Sequence, residues 1–137
     1  MARFVIDSET LLRLASGEIE VAAGHRLFAP TLARSQALDA LFNAARKGEI
    51  SAAEGLERVS RLNSASLKVR FLGDRALQRQ AWKIAEELGW ESTYDAEYVA
   101  LTSLQADALV ASNPKLARAA AGLVKTVTID ALQPPDR

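Results

Sequence analysis

Short apolar runs alternate with longer amphipathic stretches along this chain, and that alternation restricts its fold more than any other feature. Arg3-Phe4-Val5-Ile6, Arg26-Leu27-Phe28-Ala29, Leu67–Phe71, Ala108-Leu109-Val110-Ala111 and Val124–Ile129 read as strands, rich in β-branched and aromatic residues. The segments between them carry helix signals. Ser8–Ala15 has leucines at 11, 12 and 14 and stops at Gly17; Ile19–Ala23 reads as a short helical turn closed by Gly24. Pro30 stands where a first helical residue is expected, before a helix carrying Leu32, Leu38, Leu41 and Phe42 that ends ahead of Gly48. Ser51-Ala52-Ala53-Glu54 has capping-box form and opens a helix with Leu56, Val59 and Leu62. Gly73-Asp74 opens a long helix through Leu77, Trp82, Ile84 and Leu88 to Gly89. Ser92-Thr93-Tyr94-Asp95 is a second capping-box-like start, with Tyr94, Tyr98, Leu101 and Leu104 at helical spacing. Asn113-Pro114 opens a brief helix to about Ala121, and the tail from Gln133 to Arg137 reads as frayed. Short apolar strands alternating with longer helices indicate a parallel sheet covered by helices. The expectation is a three-layer α/β/α sandwich with a mostly parallel sheet, residues 1–137 forming a single domain.

Composition narrows the chemistry. The 137 residues contain no cysteine and a single histidine, His25. A disulfide, a thiolate nucleophile and a Cys-ligated zinc are excluded, and a Ser-His-Asp triad would have to use that one ring. His25 itself reads as an exposed loop residue. Seventeen basic and 17 acidic residues cancel, so no broad positive field is available to hold nucleic acid. No apolar stretch approaches membrane-spanning length, and the start of the chain lacks the apolar core of a signal peptide. A soluble, cytoplasmic protein is expected.

In a parallel sheet, function gathers beyond the C-terminal strand ends. Asp7 follows the first strand. Asp95 and Asn113 open the helices flanking the fourth, and Gln36 and Asp39 lie on the helix after the second. Oxygen ligands converging there suit a hard cation such as Mg²⁺, which can polarise a phosphoryl oxygen and activate water without Cys or His. Each residue also has a structural reading. Asp7 can cap the first helix, Asp95 can complete a box with Ser92, and Asn113 before Pro114 is a favourable N-cap. Tyr94, Tyr98 and Leu101 read as one packed stripe, Glu97 as a surface or rim acid, and Trp82 and Trp90 as anchors of the core and its margin, with base stacking the less favoured alternative. The arginines and lysines spread along the helices read mostly as solvated faces.

The chain resembles the PIN-domain family. Val5-Ile6-Asp7-Ser8 looks like that family's opening, and Ala29-Pro30-Thr31-Leu32 resembles the start of its second helix. Thr93-Tyr94-Asp95-Ala96-Glu97-Tyr98-Val99-Ala100-Leu101 matches its Tyr-Asp-Ala-x-Tyr-x-x-Leu signature. Leu109-Val110-Ala111-Ser112-Asn113-Pro114-Lys115-Leu116-Ala117 is similar to its final motif. The length is that of VapC-like toxins. The resemblance implies a Mg²⁺- or Mn²⁺-dependent endoribonuclease, commonly dimeric, neutralised by a small antitoxin protein.

It also implies four acid positions, which here hold Asp7, Gln36, Asp95 and Asn113. Two are amides, so the metal is expected to bind weakly, with Gln36 and Asn113 offering carbonyl oxygens or orienting water. If Glu9 and Asp39 face the cleft, four carboxylates are restored. Arg34 is the candidate phosphate contact. A catalytically degenerate PIN-like module that binds RNA or a protein partner is the competing expectation. A third is an unrelated α/β protein whose acids only cap helices.

Overall fold

The computed structural model describes residues 2–135. Five strands form one all-parallel sheet: β1 (Arg3–Ile6), β2 (Arg26–Pro30), β3 (Val69–Leu72), β4 (Ala108–Val110) and β5 (Thr126–Val127). The helices are α1 (Ser8–Ser16), α2 (Leu32–Arg46), α3 (Ala52–Leu62), α4 (Arg75–Leu88), α5 (Tyr94–Gln105) and α6 (Pro114–Ala120). Strand order is β3-β2-β1-β4-β5. The chain therefore winds outward in one direction from β1 through β2 and β3, then crosses back to β4 on the other side of β1. Such a reversal leaves a crevice beyond the strand ends, here between β1 and β4.

Burial follows the expected layering. Val5, Ile6, Leu109 and Val110 of the two central strands are fully buried. Leu11 of α1 and Ala96, Tyr98, Ala100 and Leu101 of α5 complete the core around them. The helix ends follow the sequence signals. Asp7, Ser51, Asp74 and Asn113 each accept from backbone N–H groups in the first turn, and Gly17 and Gly89 terminate α1 and α4 in the left-handed region. Gly89, at φ +66, cannot gain a side chain without backbone strain. Gly89→Ala is expected to cost about 1 kcal/mol in urea denaturation.

Four expectations about elements are corrected. Pro30 closes β2 instead of opening a helix; at a strand end its missing N–H costs no ladder bond. Residues 19–23 form no helix; their chain is fixed instead by the Ala22 amide donating to the Leu132 carbonyl. The third strand begins at Val69, because Ala65–Leu67 coils into a 3₁₀ turn ended by Lys68 at φ 55. The last strand shrinks to Thr126–Val127, pairing only with β4, and Ile129–Leu132 turns into 3₁₀ helix that buries Leu132.

The side-chain expectations are revised in part. Tyr98 and Leu101 are core, but Tyr94 is exposed and leaves the stripe. Trp82 is exposed too, and only Trp90 sits at the core margin. His25 is half-buried, packs edge-on against Phe4 and accepts a bond from the Ala2 amide. In the tail, the Gln133 amide donates to the Asp130 carbonyl, and Asp136 and Arg137 lie outside the described residues.

Candidate functional site

The crevice beyond β1 and β4 is an open cleft of about 620 Å³. Asp7, Gln36, Asp95 and Asn113 all line it, from four different elements of the chain. Three of them arrive by strand ends and helix starts: Asp7 caps α1, Asp95 lies in the first turn of α5, and Asn113 caps α6. Gln36 projects from the second turn of α2, on the side carrying buried Ala33 and Ala37.

Asp7 is 2% exposed and accepts three hydrogen bonds, which leaves one lone pair on Oδ2. Its Oδ1 accepts from the Thr10 amide at 3.0 Å and from Thr10 Oγ1 at 2.7 Å; its Oδ2 accepts from the Asn113 amide at 2.8 Å. This carboxylate thus ties β1 to the segment after β4. Thr10 Oγ1 also pairs with Ser112 Oγ at 2.7 Å, closing the link.

The two amides differ in how their carbonyl oxygens are engaged. Asn113 Oδ1 accepts from the Lys115 and Leu116 amides, and its Nδ2 donates to Glu9 Oε1 at 3.1 Å. Gln36 Oε1 accepts from the Tyr98 hydroxyl at 2.5 Å. Asn113 Oδ1 thus uses both its lone pairs within the protein, whereas Gln36 keeps one carbonyl lone pair besides its N–H donors. Asp95 is the contrast. The expected box with Ser92 does not form, since Thr93 is the N-cap and Ser92 Oγ accepts from the Tyr94 amide. Among the described residues, no hydrogen bond engages the Asp95 carboxylate.

The supplementary acids separate. Glu9 reaches the site through its bond with Asn113. Asp39 does not line the cleft; it is exposed and accepts from Asn43 Nδ2 at 3.2 Å. Three residues along a helix turn the side chain about 300°, so Asp39 diverges from Gln36 by about 60°. Arg34 also lies outside the cleft lining, its guanidinium 4.5 Å from the Phe71 ring centre. Among the described residues, no three acidic or histidine side chains are grouped to hold a metal ion.

Lys115, Glu91 and Ser92 carried no site role in the sequence reading. Lys115, exposed at the start of α6, brings a cation to the cleft, and Trp90, Glu91 and Ser92 form its far wall. Lys115 had a usable signal: it follows the Asn113-Pro114 cap at the end of the motif. Thr10 had a weaker one, three residues after Asp7.

Burial pushes the Tyr98 phenol well above the ordinary tyrosine range, and the nearby Asp7 charge adds to the shift. Glu97, half-buried and outside the cleft lining, is raised by burial too. The unfolded chain ionises its tyrosines near pH 10. Tyr98's contribution to stability is therefore fully present below about pH 10 and is lost as pH rises above it. Tyr98→Phe is expected to flatten the alkaline fall in melting temperature, read by circular dichroism across that range.

With that geometry in view, the fold is a PIN-like α/β/α sandwich. It is similar to the crystal structure of PAE2754 from Pyrobaculum aerophilum, with a TM-score of 0.69 over 95% of this chain and 91% of that one. Sequence identity is 21%, so the likeness concerns the fold. No protein-family profile and no curated protein matches the chain.

Proposed function

We propose that this protein is an attenuated Mg²⁺-dependent endoribonuclease of the VapC-like toxin type. The observation that carries this reading is the convergence of Asp7, Gln36, Asp95 and Asn113 on one cleft at the strand ends.

Two carboxylates that line the cleft, Asp7 and Asp95, support a divalent-cation site, with Glu9 joined to it through Asn113. Mg²⁺ is commonly held by one or two carboxylates together with substrate phosphates, so two acids suffice for a weak site. When bound, the cation supplies charge to the phosphoryl group and acidifies water. The chain's own residues do the rest. Asp7 stays aimed because Thr10 and Asn113 hold both its oxygens. The Gln36 amide, oriented by Tyr98, offers N–H to a phosphate oxygen, and Lys115 adds a cation for the RNA backbone. A cytoplasmic location, a homodimer and a small antitoxin partner accompany this reading and rest on the resemblance. Among the described residues, no helix is long and apolar enough to cross a membrane.

The second reading, a non-catalytic PIN-like module that binds RNA or a protein partner, is favoured by one observation. Both amide carbonyls accept from internal partners, Asn113 with both lone pairs and Gln36 with one, which reduces the oxygen offered to a metal. Cleavage of a labelled single-stranded RNA at millimolar Mg²⁺ or Mn²⁺ separates the two. Wild type should cleave slowly and Asp95→Asn not at all. RNA binding without cleavage in both would select the non-catalytic module.

A further inference from the structure

Next to the cleft, α4 and the turn leading into α5 form a second, shallower depression of about 530 Å³. Trp82 and Tyr94 stand 64% and 57% exposed there, with half-buried Trp90 between the two hollows. Trp90, Glu91, Ser92 and Tyr94 line both, so the depression continues the cleft. Two exposed rings and a half-buried third on one continuous surface form an apolar patch of the kind that marks interaction sites.

The charge around the rings selects an occupant. Arg79, Trp82, Lys83 and Glu86 share one face of α4 by their spacing. Among the described residues, neither Arg79 nor Lys83 enters an ion pair. Glu86 and Glu91 border the aromatic surface, and Glu86 Oε2 accepts from Trp82 Nε1 at 3.4 Å. A flat apolar face, cations to one side and carboxylate acceptors at the edge match an unpaired nucleobase. Its ring stacks, its phosphate meets the cations and its exocyclic amine donates to a carboxylate. An apolar peptide would use the rings but leave the acceptors without partners.

We infer that Trp82, Trp90 and Tyr94 form a stacking subsite for an unpaired, amine-bearing base of a single RNA strand whose backbone continues into the cleft. This subsite rests on the RNA-handling reading of the cleft and sets where the strand lies relative to it.

The test needs no metal. Both tryptophans of the chain lie in this subsite, so intrinsic fluorescence reports on it directly. Titration with an oligoadenylate in chelator should quench wild type to saturation. Trp82→Ala should weaken binding roughly tenfold, and Trp82→Phe should largely retain it. Arg79→Ala with Lys83→Ala should lower the salt dependence of binding. Glu86→Gln should reduce the preference for oligoadenylate over oligouridylate. Unchanged affinity in Trp82→Ala, with RNA still bound by filter retention, would overturn the subsite and leave the cleft reading standing. No retention of RNA by wild type, with or without Mg²⁺, would overturn both. A wild-type dimer in sedimentation velocity that Trp82→Ala dissociates would assign this face to a second copy of the chain and overturn the subsite.

Discussion

Asp7→Ala is expected to lower folding stability by about 3 kcal/mol in metal-free buffer, with a melting temperature lower by roughly 10 °C. Two costs combine. The cap of α1 loses its acceptor for the Thr10 amide, worth about 1 kcal/mol. The Asn113 amide and Thr10 Oγ1 lose a partner in a nearly dry place, worth about 1–3 kcal/mol more. Asp7→Asn keeps the shape and an acceptor for Thr10, but it sets an amide donor toward the Asn113 N–H. Its loss should be smaller, about 1–2 kcal/mol. A chelator should change neither value, because the bonds lie within the protein. Thermal melts in which Asp7→Ala behaves like wild type would show that Asp7 does not tie β1 to the segment after β4.

This dual use of Asp7 explains how far the sequence could be read. The strand and helix alternation, the caps at Asp7, Ser51 and Asn113 and the stop at Gly89 are local signals, and each stands in the structure. The convergence of four residues on one cleft was legible because parallel topology brings strand ends together. What those residues do with their hydrogen bonds was not. Tyr98 lies 62 residues from Gln36, and Glu9 lies 104 from Asn113. Only the fold reveals that both amides are engaged there. Asp39 illustrates the same limit: three-residue spacing allowed it to share a face with Gln36, and a divergence of about 60° on the helix takes it away. Trp82 was assigned to the core for another reason. An aromatic residue at core spacing is ordinarily buried, and nothing local marks the one left exposed.

Restoring the two acids by Gln36→Glu together with Asn113→Asp is expected to tighten Mg²⁺ binding at least tenfold, roughly, in titration calorimetry. The direction follows from charge. Two formal negatives join Asp7 and Asp95 in the same cleft, with almost no change in side-chain volume. Without metal the same variant should be less stable than wild type by about 1–2 kcal/mol. The amide donation to Glu9 becomes a repulsion, and close carboxylates oppose one another. The cap of α6 should survive, since a carboxylate accepts from the Lys115 and Leu116 amides as an amide carbonyl does. Millimolar Mg²⁺ should therefore raise the variant's melting temperature well above its metal-free value and move wild type little. Equal affinities would mean that the amides do not limit metal binding.

The proposed function is that of a PIN-like RNA-cleaving cleft slowed by its two amides. Single-turnover cleavage of a labelled single-stranded RNA at millimolar Mn²⁺, run side by side on wild type and the double variant, tests it most directly. Wild type should show slow, metal-dependent cleavage, and the variant with restored charge a rate at least roughly tenfold higher. No cleavage by either protein, or equal rates in both, would contradict it.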